Sequence, residues 1–324
     1  MSVTKKASRW AHKSYELMWR LMAARRTVIL PPPTCDHADF APIFLIGCPR
    51  SGTTLLRMLL DSHPNVASPP ESFFLLDLEK MWRSEDAIKG LQEMGYDRDH
   101  VRGKLREMAA YFLANYAASR GKGRLVEKTP HYVACLDFIE DLFGPRSQYL
   151  MLYRHPLDVV VSMTKHFTIG WHPLLSQYLD QYSNPHLGYA RFWADHTMKM
   201  LAFEAANAER CLRVRYEDLV AEPEPRLRSI FEFIHEPWDS QVLNYYKVPH
   251  DQGRGDRKAL MQKGITPSVG NWQGLDPALI QRIQQIVVEP ARLLGYDCEA
   301  SGAAMQKPAT SPAASPNGAA IAST

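Results

Sequence analysis

The stretch from residue 43 to residue 71 constrains the fold of this chain more than any other. Residues 42–46 are apolar, rich in β-forming side chains and of the length of a buried parallel strand. A loop with the sequence GCPRSGTT follows at residues 47–54, and a leucine-rich helical pattern then continues as far as His63. A strand, a glycine-containing loop and a helix in this order predict an anion cradle. The start of the helix offers unpaired backbone N–H groups and the positive end of the helix dipole.

The loop departs from the nucleotide-binding P-loop at one decisive position. The spacing of Gly47 and Gly52 matches the pattern G-x-x-x-x-G-K-[ST], but Thr53 stands where that pattern has a lysine. The basic group is Arg50, inside the loop. These residues therefore predict a loop that binds phosphate but is poorly suited to metal-assisted transfer of a γ-phosphoryl group.

Two later strand ends carry the other basic candidates. Lys128 follows a brief apolar run and precedes a helix predicted over residues 130–143. Residues 149–153 form the clearest buried strand and end in Arg154, and the next predicted helix carries Ser162. Ligands of α/β sheets bind at the carboxyl ends of strands, so Lys128 and Arg154 are candidate anion ligands. Walker-type NTPases need an aspartate on such a strand to position Mg²⁺, and this strand ends in arginine instead.

The composition is that of an ordinary globular chain. The 324 residues are 45% hydrophobic and 23% charged, which favours one α/β domain with insertions over two domains. The net charge of +3 does not favour nucleic acid as a partner. We expect neither a membrane span nor a signal peptide, because no apolar run is long enough. The cysteines are scattered and odd in number, which favours reduced thiols in the cytoplasm over disulfides or a zinc site: Cys35, Cys48, Cys135, Cys211 and Cys298.

The loop and the residues after it resemble a known family. The segment PRSGTTL at residues 49–55, followed by LDSHP at residues 60–64, resembles the 5′-phosphosulfate loop of sulfotransferases that use 3′-phosphoadenosine-5′-phosphosulfate (PAPS). It is most similar to the branch that contains the protein-tyrosine sulfotransferases and many bacterial enzymes. The resemblance spans residues 42–296. It implies a P-loop-NTPase-like α/β fold, with a short parallel β-sheet flanked by helices. The apolar positions of residues 84–120 predict a mostly helical insertion.

The resemblance also implies a reaction and the residues that perform it. A sulfuryl group would move from PAPS to a hydroxyl or amine of an acceptor by in-line attack, with no metal ion. The 5′-phosphosulfate would be held by Arg50 and by the backbone of Ser51, Gly52, Thr53 and Thr54. Lys128, in a Glu-Lys-Thr-Pro context, corresponds to the catalytic lysine, and Arg154 with Ser162 corresponds to the pair that binds the 3′-phosphate.

Glu71 is the candidate general base. It lies seven residues after Pro64, the spacing at which the protein-tyrosine branch carries its catalytic glutamate. His131 is the alternative base, because cytosolic sulfotransferases use a histidine. Structural roles stay open for both residues: Glu71 as a helix N-terminal residue stabilised by the dipole, and His131 as a polar residue in the first turn of its helix.

Candidate nucleotide contacts follow in the second half of the chain. Tyr216 lies in a Tyr-Glu-Asp-Leu segment, where the tyrosine of the family is near the nucleotide; alternatively it only caps the sheet. The polar, basic and glycine-rich residues 250–274 predict a lid over a charged nucleotide, with Lys263 and Trp272 as candidate ligands. Gln262 stands where the cytosolic branch has an arginine, so the 3′-phosphate ligands of this loop stay open.

Three regions are predicted: a basic N-terminal segment at residues 1–38, a sulfotransferase domain at residues 39–298, and a disordered Ala/Ser/Pro tail at residues 299–324. The basic segment could touch a membrane surface weakly or act in targeting; otherwise it packs on the domain or is partly disordered. The acceptor could be a small molecule, a carbohydrate or a peptide, and the oligomeric state is not readable.

Two other classes of protein share parts of this pattern. A kinase or other P-loop NTPase would have the same cradle, but Thr53 and Arg154 argue against it. A non-catalytic nucleotide-binding protein would keep Arg50 and Arg154 without needing Glu71 and Lys128 together. The presence of both favours an enzyme.

Overall fold

The structure is a computed structural model that describes residues 39–167, 173–251, 253 and 262–297. The predicted basic segment at residues 1–38 and the predicted tail at residues 299–324 lie outside the described residues. So does most of the first half of the predicted lid.

A five-stranded parallel sheet forms the centre of the domain. Its strands are β1 (Ile43–Gly47), β2 (Val66–Ala67), β3 (Arg124–Glu127), β4 (Gln148–Tyr153) and β5 (Cys211–Arg215). Their order across the sheet is β2-β3-β1-β4-β5, and each neighbouring pair is parallel. The strands β1 and β4 are buried along nearly their whole length, which explains why both read as continuous apolar runs.

Helices connect the strands. They are α1 (Thr53–Asp61), α2 (Phe74–Arg83), α3 (Glu85–Glu93), α4 (Arg98–Ala118), α5 (Leu136–Phe143), α6 (Pro156–His166), α7 (Pro173–Leu179), α8 (Pro185–Ala206), α9 (Tyr216–Ala221), α10 (Pro223–Phe233) and α11 (Pro277–Leu293). Short 3₁₀ segments are Pro130–Cys135, Gly144–Arg146, Ala208–Arg210 and Ser240–Lys247. No helix in the described part of the chain has the length and apolar character needed to cross a membrane.

The two faces of the sheet bury different residues of the same strand. In β1, Phe44 and Ile46 belong to one cluster of buried side chains, whereas Ile43 and Leu45 belong to another. Successive side chains of a strand point to opposite faces, so this alternation places a core on each side of the sheet. Helices α4, α5, α6, α8 and α11 cover the first face, and α1, α9 and α10 cover the second. The predicted α/β fold is confirmed.

Local differences from the prediction have simple causes. The strand β2 was not predicted, because two residues are too short to show a periodic pattern. The helix predicted over residues 130–143 is a 3₁₀ segment followed by α5. The predicted helical insertion contains α3 and α4. Ser84 and Asp97 start these helices by accepting hydrogen bonds from the N–H groups of Ala87 and His100. Cys48, Cys135 and Cys211 are free thiols.

Candidate functional site

The carboxyl edge of the sheet carries the main site residues in an order that the strands impose. Lys128, Arg154 and Tyr216 directly follow β3, β4 and β5, while Arg50 and Glu71 lie a few residues beyond β1 and β2. The strand order therefore arranges them along the edge as Glu71, Lys128, Arg50, Arg154 and Tyr216. The candidate base lies at one end of this row, and the candidate nucleotide ligands lie at the other.

The loop between β1 and α1 is folded by two left-handed residues. Arg50 has a φ of 71° and Gly52 has a φ of 95°, and α1 begins at the next residue, Thr53. A Cβ atom on Gly52 would collide with the ring of Tyr216, so this position needs glycine for its conformation and for its packing. The Oγ atom of Ser51 is buried and has no hydrogen-bond partner among the described residues. The loop thus holds an unused hydroxyl at the start of a helix, as expected of an anion cradle.

Arg50 and Arg154 are joined in one hydrogen-bonded cluster. Nε of Arg50 donates to Oγ of Ser162 at 3.1 Å, and Nη1 of Arg154 donates to the carbonyl oxygen of Arg50 at 2.8 Å. Nη2 of Arg154 donates to the carbonyl oxygen of Ser268, which brings the late loop onto the phosphate loop. The structure therefore brings Arg50, Arg154 and Ser162 together.

Tyr216 completes this cluster. The guanidinium of Arg154 lies 4.5 Å from the centroid of the Tyr216 ring, a cation–π arrangement. The Tyr216 hydroxyl accepts a hydrogen bond from the N–H of Ser268 at 3.2 Å. Burial raises the pKa of Tyr216, which keeps the phenol neutral. Tyr216 is thus a neutral platform for Arg154 and not only a cap on the sheet.

A pocket opens beside this cluster. Its lining includes the predicted ligands Arg50, Gly52, Thr53, Thr54, Arg154, Ser162 and Tyr216. The lining residues that were not predicted as ligands are Leu55, His166, Gln262, Thr266 and Ser268. Among the described residues, the lining contains two arginines and several hydroxyls but no carboxylate. Nε of Arg154 is buried and has no hydrogen-bond partner in the described part of the chain. These donors fit a ligand that carries phosphate groups.

Asp158 holds the late loop in place. Its carboxylate, in the first turn of α6, accepts the N–H groups of Gly270 at 2.9 Å and Asn271 at 2.8 Å. Trp272 stacks on His155 with ring centroids 5.7 Å apart. Asp158 was not predicted as a site residue, because an aspartate near the start of a helix has many ordinary roles.

The predicted nucleotide ligands Lys263 and Trp272 are not among the residues that line the pocket. Lys263 is exposed, whereas Trp272 packs against the core. The basic residues at positions 254, 257 and 258 lie outside the described residues.

Glu71 and Lys128 form a buried ion pair. Nζ of Lys128 donates to Oε1 of Glu71 at 2.6 Å, and the side chains are 1% and 11% exposed. Burial lowers the pKa of Lys128, and the contact with Glu71 opposes this effect. Glu71 precedes α2 by three residues and is outside its first turn, so the helix-dipole role does not apply.

His131 lies close in sequence to this pair. It is buried in the 3₁₀ segment after β3, and its ring centroid is 5.2 Å from that of Phe73. Glu71, the first candidate base, contacts the candidate catalytic lysine, Lys128, directly.

A second, apolar pocket lies between the Glu71 segment and the helical insertion. Its lining consists of Pro69, Ser72, Phe74, Phe112, Leu113 and Tyr116. Phe112 is 53% exposed although it is a large apolar residue, and its ring meets that of Phe74 edge-on with centroids 5.9 Å apart. The insertion thus contributes an exposed aromatic wall next to the candidate base.

Comparison with known proteins agrees with this geometry. A family model described as "Sulfotransferase family" matches residues 42–240. This chain belongs to the sulfotransferase family. The predicted family is confirmed, and with it the assignment of the chain as a sulfotransferase enzyme.

Several named proteins are similar to this sulfotransferase along much of their length. Protein-tyrosine sulfotransferase 1 of Danio rerio is 28% identical over 307 residues, which cover 89% of this chain and 82% of the relative. Protein-tyrosine sulfotransferase 2 of Gallus gallus is 30% identical, with 79% and 69% covered. The nodulation protein NoeE of Sinorhizobium fredii (strain NBRC 101917 / NGR234) is 28% identical, with 72% and 61% covered.

Solved structures share the fold. The sulfotransferase domain of the Synechococcus PCC 7002 olefin synthase superposes with a TM-score of 0.57 and 26% identity, covering 82% of this chain and 99% of that domain. The sulfotransferase domain from the curacin biosynthetic pathway gives a TM-score of 0.56 at 23% identity, covering 79% and 98%. The predicted P-loop-NTPase-like architecture is therefore confirmed.

Proposed function

We propose that this sulfotransferase moves a sulfuryl group from PAPS to a hydroxyl, or an amine, of its acceptor by direct in-line displacement. One observation carries the proposal: the Glu71–Lys128 pair lies next to the Arg50–Arg154–Ser162 cluster along one edge of the sheet. A base, a cation and a phosphate-binding pocket are the parts that the reaction requires.

The pocket residues bind the nucleotide. Arg50 and the backbone of residues 51–54 hold the 5′-phosphosulfate at the start of α1, where the helix dipole favours negative charge. Arg154 and Ser162 bind the 3′-phosphate, with Arg154 fixed by the carbonyl groups of Arg50 and Ser268. The arginine fork suits this ligand because it offers several N–H donors in one plane.

The Glu71–Lys128 pair carries out the transfer. The Glu71 carboxylate takes the proton of the acceptor hydroxyl while the acceptor oxygen forms a bond to sulfur. The bond between sulfur and the bridging phosphate oxygen breaks, and its electron pair stays on 3′-phosphoadenosine-5′-phosphate (PAP). Lys128 stabilises the negative charge that develops on this oxygen. The buried contact with Glu71 keeps Lys128 in position before the nucleotide arrives.

The non-reacting part of the acceptor lies in the apolar pocket of the insertion. The polar atoms of its lining side chains are used elsewhere: Oγ of Ser72 donates to Glu127 at 2.7 Å, and the Tyr116 hydroxyl donates to Asp251 at 2.9 Å. The ring of Phe112 is left as a contact surface. An acceptor with an aromatic or alkyl body therefore fits this pocket better than a strongly charged one.

A binding and transfer assay tests the proposal. Calorimetry should show binding of PAP without metal and much weaker binding of ATP with Mg²⁺. Sulfur-labelled PAPS is then offered with phenols of increasing alkyl length, with tyrosine peptides and with carbohydrates. Transfer to alkylphenols, reduced in Phe112→Ala through a higher KM, is the expected result. Tighter binding of ATP with Mg²⁺ than of PAP would contradict PAPS as the donor. Transfer to charged peptides alone would contradict an acceptor with an apolar body.

A further inference from the structure

Glu127, Lys128 and Thr129, at the end of β3, bind Glu71 and Ser72 through hydrogen bonds. Nζ of Lys128 donates to Oε1 of Glu71 at 2.6 Å. Oε1 of Glu127 accepts from Oγ of Ser72 at 2.7 Å, and Oγ1 of Thr129 accepts from the N–H of Ser72 at 3.1 Å. The contacts of Glu127 and Thr129 are directed at Ser72, so they act on Glu71 through the backbone.

The hydroxyl groups around Glu127 form a chain with one consistent direction. Oγ1 of Thr129 donates to Oε1 of Glu127 at 2.9 Å. Because Oγ of Ser72 donates its proton to the same oxygen, the Tyr132 hydroxyl is the donor in its 2.8 Å contact with Ser72. The Tyr132 oxygen in turn accepts the N–H of Leu75 at 3.3 Å. Each of the three hydroxyl protons has one acceptor, and the chain ends on Glu127.

The segment that this network holds has no regular secondary structure. Residues 68–73 connect β2 to α2, and Phe73 has a left-handed φ of 58°. Such a backbone keeps its conformation only when surrounding contacts determine it. Glu127 supplies one of these contacts from the end of β3, an inner strand of the sheet.

Glu127 is itself an unusual residue. Its side chain is fully buried, and Oε2 has no hydrogen-bond partner among the described residues. Burial raises the pKa of Glu127 to about 7, although the hydrogen bonds from Ser72 and Thr129 and the charge of Lys128 oppose this. Burying such a carboxyl group costs stability, and perturbed pKa values of this kind cluster at functional sites.

We propose that Glu127 is a positioning residue for the sulfotransferase reaction: through Ser72 it fixes the backbone that presents Glu71 to Lys128. The inference rests on the proposed role of Glu71 as the base. Glu127 itself touches neither the acceptor nor the nucleotide in this account. Its removal should therefore change turnover without changing the affinity for PAP.

Ionisation of Glu127 should modulate this role near neutral pH. The charged groups that face it are Lys128, from its own strand end, and Glu71, from the β2–α2 segment. Tyr132 and Cys135 face it from the 3₁₀ segment, and burial raises the pKa of both, so they stay neutral. An ionised Glu127 accepts stronger, charge-assisted hydrogen bonds from Ser72 and Thr129. The ionisation of Glu127 should therefore make turnover rise as the pH increases through about 7.

Two variants of Glu127 separate its hydrogen bonds from its charge. In Glu127→Gln the amide oxygen still accepts from Ser72 and Thr129, but the charge can no longer appear. We expect its kcat to be close to that of the wild type at acidic pH. The ratio of the two kcat values should change between about pH 6 and about pH 8. In Glu127→Ala the contact with Ser72 is lost, and we expect kcat to fall by roughly 10–100-fold at unchanged PAP affinity.

The assay uses the full chain with PAPS and the best acceptor of the screen, or water as the acceptor of a slow PAPS hydrolysis. Glu140→Gln is the control, because the Glu140 carboxylate also accepts a hydrogen bond from a side-chain hydroxyl, that of Tyr149, but lies beside Arg210, away from the site. If Glu127→Ala does not fold, Ser72→Ala removes the same contact from the other side. If the Glu127 variants keep the wild-type kcat and pH profile while Glu71→Gln is inactive, the positioning role of Glu127 is contradicted and the proposed function is not. Absence of PAP binding in the wild type would instead overturn the proposed function.

Stability gives a second readout that does not depend on any acceptor. The folded-state pKa of Glu127 lies above its usual value of 4.5, so its neutral form favours the folded state. This contribution is present below about pH 4.5 and is lost as the pH rises through about 7. Relative to Glu127→Gln, the wild type should therefore lose thermal stability over this range. A constant difference in melting temperature would show that Glu127 does not have the raised pKa on which the expected pH dependence rests.

Discussion

In the proposed mechanism, the contact between Glu71 and Lys128 joins the proton acceptor to the cation that stabilises the leaving group. A buried lysine with a carboxylate partner keeps its charge more readily than one without a partner. The pair is therefore in place before either substrate binds, and the geometry needs little rearrangement when the reaction begins.

Glu71→Gln tests the base directly. The amide keeps the shape and the hydrogen-bonding capacity of the side chain but removes its basicity. We expect kcat to fall by about 10²–10⁴-fold, the usual contribution of general-base catalysis. Affinity for PAP, measured by calorimetry, should hardly change, because Glu71 contacts Lys128 and not the pocket arginines.

His131→Asn is the companion experiment. If Glu71 is the base, this variant should lose much less turnover than Glu71→Gln. A folded Glu71→Gln enzyme with normal turnover, together with an inactive His131→Asn enzyme, would transfer the role to His131.

Arg154→Lys tests the 3′-phosphate site. Lysine keeps the charge but cannot reproduce the planar fork that contacts Arg50 and Ser268. We expect the affinity for PAP to fall by about 1.5–3 kcal/mol, roughly ten- to a hundred-fold. Affinity for 5′-AMP, which has no 3′-phosphate, is the reference and should fall less. Equal losses for the two ligands would argue against a 3′-phosphate contact.

Which residues could be predicted depended on where they lie in the sequence pattern. Arg50, Lys128 and Arg154 each follow a recognisable apolar strand, so the strand-end rule identified them as candidates. Asp158 and Ser268 escaped because their importance comes from a loop that folds back over more than 100 residues. No local pattern marks such a contact.

The loop between β1 and α1 depends on one glycine. An alanine at Gly52 would have to adopt a left-handed conformation, at a cost of about 1–2 kcal/mol, and would also push against Tyr216. Because Tyr216 supports Arg154, we expect Gly52→Ala to weaken PAP binding by at least about tenfold, measured by calorimetry.

Gly121→Ala is the matched control for this loop. Gly121 is also left-handed, with a φ of 66°, but an added Cβ would meet open space. It should lose stability and keep its PAP affinity. Comparable PAP binding by the two variants would mean that the packing of Tyr216 on the loop is unimportant for the nucleotide.

The helices and strands differed in how clearly their sequence patterns predicted them. Buried strands such as β1 and β4 read as continuous apolar runs, and helices α4 and α8 are long enough to show their pattern. The strand β2 gave no such signal, yet it sets the position of Glu71. The order of the strands was equally hidden, because it arises from pairing between distant segments.

Sulfuryl transfer should survive the removal of divalent metal ions. The charge of the phosphosulfate is balanced in our proposal by Arg50, Lys128 and Arg154, and Thr53 replaces the lysine of metal-dependent P-loops. We expect turnover to be unchanged in excess EDTA, measured as transfer from labelled PAPS. Loss of activity that Mg²⁺ restores would bring the NTPase-like alternative back.

The position of β2 at the edge of the sheet affects how the acceptor specificity of this enzyme can evolve. Glu71, Phe112 of the insertion and Lys128 all belong to one uninterrupted stretch, residues 62–135, whereas the proposed phosphate-binding residues lie before and after it. A single recombination event could therefore replace the acceptor half of the site as a cassette. The donor half would be inherited intact, so new substrates can be acquired without rebuilding the nucleotide pocket.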